Sequence, residues 1–140
     1  MQKILIICAN FYPNIAELLL KSTKFELDQK NISYEIIKIS GCLEIPSIIS
    51  IAKDSNKYLG YITLGCVIRG QTTHYDHICN TVISEITRMA VDHKLAIGNA
   101  ILTVENQEQA IERADLTKKN KAKYAVNSCL EILNFKNSIK

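Results

Sequence analysis

The chain has 140 residues, 47% hydrophobic and 22% charged, with a formal net charge of +3; this balance suits a single globular domain over residues 1–140 and argues against disorder. Much of the positive excess falls in Lys118-Lys119-Asn120-Lys121-Ala122-Lys123, a run without interleaved aromatics to stack bases, so no nucleic-acid partner is expected. No apolar stretch approaches the roughly 20 residues that span a bilayer, and Ile4-Leu5-Ile6-Ile7 is too short for a signal-peptide core, so no membrane partner is expected and the chain is assigned to the cytoplasm.

Taken in order, short Ile/Leu/Val-rich runs alternate with helical patterns. Strands are predicted at Lys3–Ala9, Tyr34–Ile39, Tyr61–Ile68 and Ile97–Val104, their nearly continuous apolar character marking parallel strands buried on both faces. Between them, Ile15, Leu18, Leu19, Ser22 and Phe25 form one helical stripe, and Ile78, Val82, Ile86, Met89 and Ala90 another. A short apolar helix is expected over 47–53, with further helices over 108–114 and 122–133. This β-α-β-α-β-α-β-α-α order predicts an α/β fold, a four-stranded parallel sheet of order 2-1-3-4 with helices on both faces, giving a three-layer αβα sandwich. Cys8, Cys42, Cys66, Cys79 and Cys129 are scattered and include no C-x-x-C pair, so they read as reduced core thiols and not as a disulfide or zinc framework.

In such sheets ligands bind beyond the carboxyl ends of the strands, so the residues that follow each strand carry the functional information. After strand one comes Asn10-Phe11-Tyr12-Pro13-Asn14, which lacks the hydroxyl-rich, acidic, G-x-G-x-x-G and Walker loops used by other proteins of this class. Phe11 is either a core plug or a stacking face for a planar ring. After strand two, Ser40-Gly41-Cys42-Leu43-Glu44-Ile45-Pro46 offers a glycine for positive φ or close backbone approach, and a proline suited to a first helical turn. Glu44 then either complements the helix dipole or presents a carboxylate at the binding edge.

Strand three is followed by Arg69-Gly70-Gln71-Thr72-Thr73-His74-Tyr75-Asp76-His77. Gly70 suggests a sharp turn. Thr73 with Asp76 makes a variant capping box, so a helix is expected to begin near His74. Free N–H groups at that helix start, with Gln71 and Thr72, suit an anion such as phosphate, and His74 beside it suits general acid–base work. His74 and His77 have no third ligand at suitable spacing, so no metal is expected; His77 and His93 read as solvated.

At these residues the chain closely resembles the lumazine synthase family. The resemblance is carried by Phe11, by Gly41-Cys42-Leu43-Glu44-Ile45-Pro46, and by Val67-Ile68-Arg69-Gly70-Gln71-Thr72-Thr73-His74-Tyr75-Asp76. It continues through Leu102-Thr103-Val104-Glu105-Asn106 and Gln109-Ala110-Ile111-Glu112-Arg113-Ala114, in family order and spacing. It implies a flavodoxin-like fold and a transferase of riboflavin biosynthesis. The implied reaction condenses 5-amino-6-(D-ribitylamino)uracil with 3,4-dihydroxy-2-butanone 4-phosphate to 6,7-dimethyl-8-ribityllumazine, phosphate and water, without a cofactor or metal.

By this resemblance Phe11 would stack on the pyrimidine, Cys42 and Glu44 would line the ribityl side, and Leu43 would also bind substrate. Val67 and Ile68 would contact the ring system, and Arg69 would also bind substrate. Gln71, Thr72 and Arg113 would hold the phosphate, and His74 would shuttle protons. Tyr12 stands where an Asn is common, and Asn99 where a neighbouring subunit commonly lends a Phe, so Asn99 would replace stacking with a hydrogen bond across subunits. Lys121 matches a lysine that reaches a neighbouring site, and Lys118 stands near the place of a further phosphate-side lysine. Family members assemble as homopentamers, as decamers or as sixty-subunit shells. The first strand begins close to residue 3, with no preceding strand to add to an adjacent sheet, so a pentamer or decamer is expected. Riboflavin synthase would be the functional partner that consumes the product. The competing reading on the same scaffold is a flavin-binding or storage protein, against which both His74 and Arg113 argue.

Overall fold

The computed structural model describes residues 2–140 and contains one four-stranded, all-parallel sheet. Its strands are β1 (Lys3–Ala9), β2 (Tyr34–Ile39), β3 (Tyr58–Ile68) and β4 (Ile97–Val104), in the order β2-β1-β3-β4. The helices are α1 (Pro13–Gln29), α2 (Ile45–Ala52), α3 (His74–His93), α4 (Gln107–Ala114) and α5 (Lys121–Ser138). The strand order and the alternation of elements are those expected from the apolar runs.

The alternating side chains of β1 divide the core in two. Ile4, Ile6 and Cys8 pack with α1, α4 and α5 through Leu19, Ala110, Ala114, Ala125 and Val126. Leu5, Ile7 and Ala9 pack with α2 and α3 through Ile45, Ile49, Val82, Ile86 and Met89. Helices therefore cover both faces, which is why the central strands lack a polar side, while the edge strand β2 exposes Glu35 and Lys38.

Several local expectations are corrected. β3 begins at Tyr58 and not Tyr61: the register shifts between Lys3–Tyr58 and Ile4–Gly60, so Leu59 is the extra residue of a bulge. Gly60 interrupts the apolar run because its missing Cβ leaves room for Cys129 Sγ, which would lie 2.7 Å from it, and for Ala96 O at 3.0 Å. A tighter approach occurs at Gly98, where a Cβ would sit 1.8 Å from Ala125 O, so the absent side chain lets α5 lie directly on β4. Phe25 is exposed and not part of the buried stripe of α1. At about 100° per residue it stands roughly 80° around the helix from Ile15, and Glu26 and Leu27 take the buried face.

α2 starts at Ile45 and not Ser47, after a 3-10 turn over Cys42–Glu44 that carries the chain from β2 into it. α5 extends from Lys121 to Ser138, beyond the expected 122–133. Its N-cap, Asn120, adopts φ 49°, and its carboxamide oxygen accepts a hydrogen bond from the buried Ser22 hydroxyl. That bond docks the start of α5 on α1. Among the described residues no helix is long and apolar enough to cross a membrane.

Candidate active site

Parallel pairing aligns the strands so that β1, β2 and β3 end side by side. The Asn10 N–H continues the ladder to Ile39 O at 2.9 Å, and the Arg69 N–H to Val104 O at 2.9 Å. Beyond these ends lies a cleft of about 480 Å³. Phe11 and Tyr12 come to it from the β1–α1 loop, and Ser40 through Glu44 from the β2–α2 connection. Cys66, Val67 and Ile68 come from the end of β3, and His74 and Ile78 from the first turns of α3.

The expected residues Phe11, Cys42, Leu43, Glu44, Val67, Ile68 and His74 meet in this cleft although 63 positions separate the first from the last. Phe11 is 70% exposed, which decides against the core plug: its ring is presented and not consumed by packing. Tyr12 meets it edge to face, with centroids 5.0 Å apart and planes at 80°. Glu44 accepts a 3.2 Å hydrogen bond from Ser40 Oγ at the cleft rim. Cys42 and Cys66 are buried thiols, each pushed up to about 12 by desolvation, so they serve the wall as neutral, apolar groups and not as nucleophiles.

Tyr12, Ser40, Cys66 and Ile78 also line the cleft, and the site reading missed them. Cys66 and Ile78 carry no polar signal, being apolar residues one position before Val67 and four after His74. Ser40 and Tyr12 were legible only as neighbours of Gly41 and Phe11.

Helix α3 begins at His74 as expected, but not through a capping box. Thr73 is the N-cap with no side-chain capping bond, while the Thr72 hydroxyl accepts from the His74 N–H at 3.3 Å. Asp76 is drawn away by Arg69, with Nη2–Oδ1 at 3.3 Å and Nη1–Oδ2 at 3.5 Å. The glycines flanking the site are not used for positive φ, since no described glycine has it. Gly41 is extended at φ −151°, and a Cβ on Gly70 would meet nothing within 4 Å. Neither glycine is required by the fold locally, which leaves close approach of a ligand as their use.

The remaining candidates lie outside the cleft lining. Gln71 and Thr72 are exposed on the loop before α3. Arg69 sits in a three-way contact: its Nε is 2.7 Å from Glu105 Oε2, its other nitrogens meet Asp76, and its guanidinium lies 4.4 Å from the Tyr75 ring centroid. Arg113, half-buried at the end of α4, donates from Nη1 to Gln109 O at 3.2 Å. Asn99 is on β4, opposite Thr63 in the middle of the ladder, where its Oδ1 accepts from the Ile101 N–H at 2.8 Å. Lys121 lies over the Tyr124 ring at 5.3 Å. Lys118 borders a separate shallow hollow with Glu108, Ile111 and Glu112. His77 and His93 are exposed, and among the described residues no group of three or more His, Cys, Asp or Glu could hold a metal ion.

The arrangement joins a flat, largely apolar slot with a presented aromatic face to a histidine at a helix start. It suits a planar heterocycle undergoing proton transfers. The family model described as 6,7-dimethyl-8-ribityllumazine synthase matches residues 1–137. The 6,7-dimethyl-8-ribityllumazine synthase of Sphingopyxis alaskensis is 41% identical over 136 residues, covering 97% of this chain and 96% of the relative. That of Bartonella tribocorum is 42% identical over 134 residues, covering 95% and 89%, and that of Agrobacterium fabrum is 38% identical, covering 97% and 95%. The chain belongs to the 6,7-dimethyl-8-ribityllumazine synthase family, a transferase family of riboflavin biosynthesis.

Proposed function

We propose that this cleft condenses 5-amino-6-(D-ribitylamino)uracil with 3,4-dihydroxy-2-butanone 4-phosphate, forming 6,7-dimethyl-8-ribityllumazine with release of phosphate and water. The observation that carries the reading is the convergence of Phe11, the Cys42–Glu44 turn, Val67, Ile68 and His74 on one cleft in a chain of this family.

Each chemical requirement finds a residue. Phe11 offers its face to the pyrimidine, with Val67 and Ile68 bordering the ring system. Cys42, Leu43 and Glu44 border the ribityl chain, and Glu44 accepts hydroxyl hydrogen bonds there. Gln71 and Thr72, at the start of α3, and Arg113, at the end of α4, hold the phosphate of the second substrate. The amine of one substrate then attacks the carbonyl of the other. The later steps lose water, expel phosphate and close the ring, and each moves a proton at a group within the cleft. His74 accepts and returns these protons. Much of the acceleration comes from holding the two substrates together, which replaces a bimolecular encounter by a positioned one.

The same reading has Asn99 and Lys121 serve a neighbouring subunit's cleft in a homopentamer or decamer. Exposed apolar side chains on α5 (Tyr124, Ile132 and Phe135), just beyond its end (Ile139) and on α3 (Ile83 and Val91) support an assembled state, since such faces favour burial. The substrates are small molecules, the work is cytoplasmic, and a riboflavin synthase would consume the product.

The test is to mix the purified protein with both substrates and follow lumazine fluorescence. Formation well above the uncatalysed background is expected. No acceleration, together with tight riboflavin binding, would replace this reading with flavin storage.

A further inference from the structure

We propose that Tyr12 is a positioning residue for Phe11: it fixes the orientation in which the Phe11 ring meets a planar heterocycle, and does not itself hold the substrate. The proposal rests on the reading above, in which Phe11 stacks on the pyrimidine.

Phe11 is 70% exposed. A side chain that projects so far changes rotamer freely unless a neighbour pins it, and ordering it at the moment of binding weakens affinity. Tyr12 is the neighbour that can do so. It is half-buried and packs against the part of the core covered by α1, α4 and α5. The two rings meet edge to face, with centroids 5.0 Å apart and planes at 80°, the arrangement that aromatic quadrupoles favour. One neighbour of this kind covers at most one face of Phe11, so the other stays open to a ligand. Both residues line the cleft.

The backbone holds the pair between two anchors. On one side the Asn10 N–H donates to Ile39 O at 2.9 Å and ends the β1 ladder. On the other Pro13 opens the first turn of α1. A residue before proline is confined to extended backbone, and Tyr12 adopts φ −111° and ψ 92°. Only Phe11 and Tyr12 lie between the anchors, so the freedom that remains is chiefly that of the Phe11 side chain. Tyr12 caps α1 with its main chain alone: its carbonyl accepts from the Ala16 N–H at 3.0 Å, and its phenol makes no capping bond. Changing the Tyr12 ring therefore leaves the helix start its bonds and isolates the contact with Phe11.

The experiment is a double-mutant cycle on Tyr12→Leu and Phe11→Ala, with Tyr12→Phe as the conservative variant. For each protein the kcat, the KM of each substrate and the dissociation constant for riboflavin, a planar heterocycle with a ribityl chain, are measured. Tyr12→Leu is expected to raise the pyrimidine KM and weaken riboflavin binding by about fivefold. The kcat and the KM of the phosphorylated substrate should stay nearly constant. In the Phe11→Ala background the same change should add nothing, because the ring it orients is gone. Tyr12→Phe keeps the edge-to-face pair and should match the wild type, even if Tyr12→Leu fails to fold. Losses that multiply in the double variant, or that appear in Tyr12→Phe, would mean that Tyr12 holds the substrate directly and overturn the proposal. So would wild-type constants in Tyr12→Leu, or equal effects on both substrates. If the wild type forms no lumazine, the proposed function fails, while the cycle read through riboflavin affinity still decides the role of Tyr12. A wild type that neither forms lumazine nor binds riboflavin overturns both.

Discussion

A Cβ placed on Gly65 would lie 2.6 Å from Cys42 Sγ, so strand β3 and the turn after β2 meet at the back of the cleft only because residue 65 has no side chain. Ala9 Cβ, at 3.3 Å, closes the same space from β1. The wall that faces the ring system is thus set by contacts among three strand ends. Gly65→Ala is expected to cost about 2 kcal/mol by overpacking. Cys42→Ala in the same chain should return part of that loss, since it removes the obstructing sulfur. Urea denaturation of the two single variants and the double variant measures the coupling, and simple additivity would refute this account of the wall.

Gly98 provides the contrast. There the obstacle to a Cβ is the Ala125 carbonyl, 1.8 Å away, and no side-chain truncation can move a backbone oxygen. Gly98→Ala should therefore cost about 3 kcal/mol, and trimming side chains on α5 should leave that loss in place. A midpoint near that of the wild type would show that α5 shifts easily on β4.

The ring-stacking role of Phe11 leads to a selective kinetic change. Phe11→Ala should raise the KM of the pyrimidine substrate by about tenfold, corresponding to roughly 1.4 kcal/mol of lost stacking and contact. The KM of the phosphorylated substrate should change little, since its anion is held elsewhere. Steady-state kinetics with each substrate varied in turn separates the two, and equal effects on both would contradict the assignment.

Alkaline pH should unfold the protein through its thiols. Burial raises Cys8 and Cys129 to about 11, and Cys42 and Cys66 to about 12, from the ordinary 9.0. Above about pH 9 the unfolded chain releases these protons while the folded chain keeps them, so the stability is whole below that pH and falls as the pH rises toward 11 to 12. The urea midpoint should thus decline steadily above pH 9, less steeply in Cys66→Ala. A flat midpoint across that window would count against the burial of these thiols.

The framework of the protein was legible because its strands turn apolar side chains toward both faces, half-buried in the edge strand Tyr34–Ile39, so Lys3–Ala9, Tyr34–Ile39 and Ile97–Val104 stand out as bounded apolar runs. The first residues of β3 were hidden because Gly60, which reads as a strand breaker, is there to admit Cys129. The site was legible where chain order and space agree: Phe11, Cys42–Glu44 and His74 follow strand ends directly. For Arg69 the sequence shows only a cation after β3, because the carboxylates that pair with it lie at Asp76 and, 36 positions away, at Glu105. Such pairing is a tertiary fact that no local pattern announces.

The most direct test of the account is the turnover of His74→Ala at saturating concentrations of both substrates. Loss of the proton shuttle should slow lumazine formation by about a hundredfold. The variant should still exceed the uncatalysed rate, because the slot and the anion site continue to hold the two substrates together. An unchanged rate constant would contradict the role of His74 and the mechanism built on it.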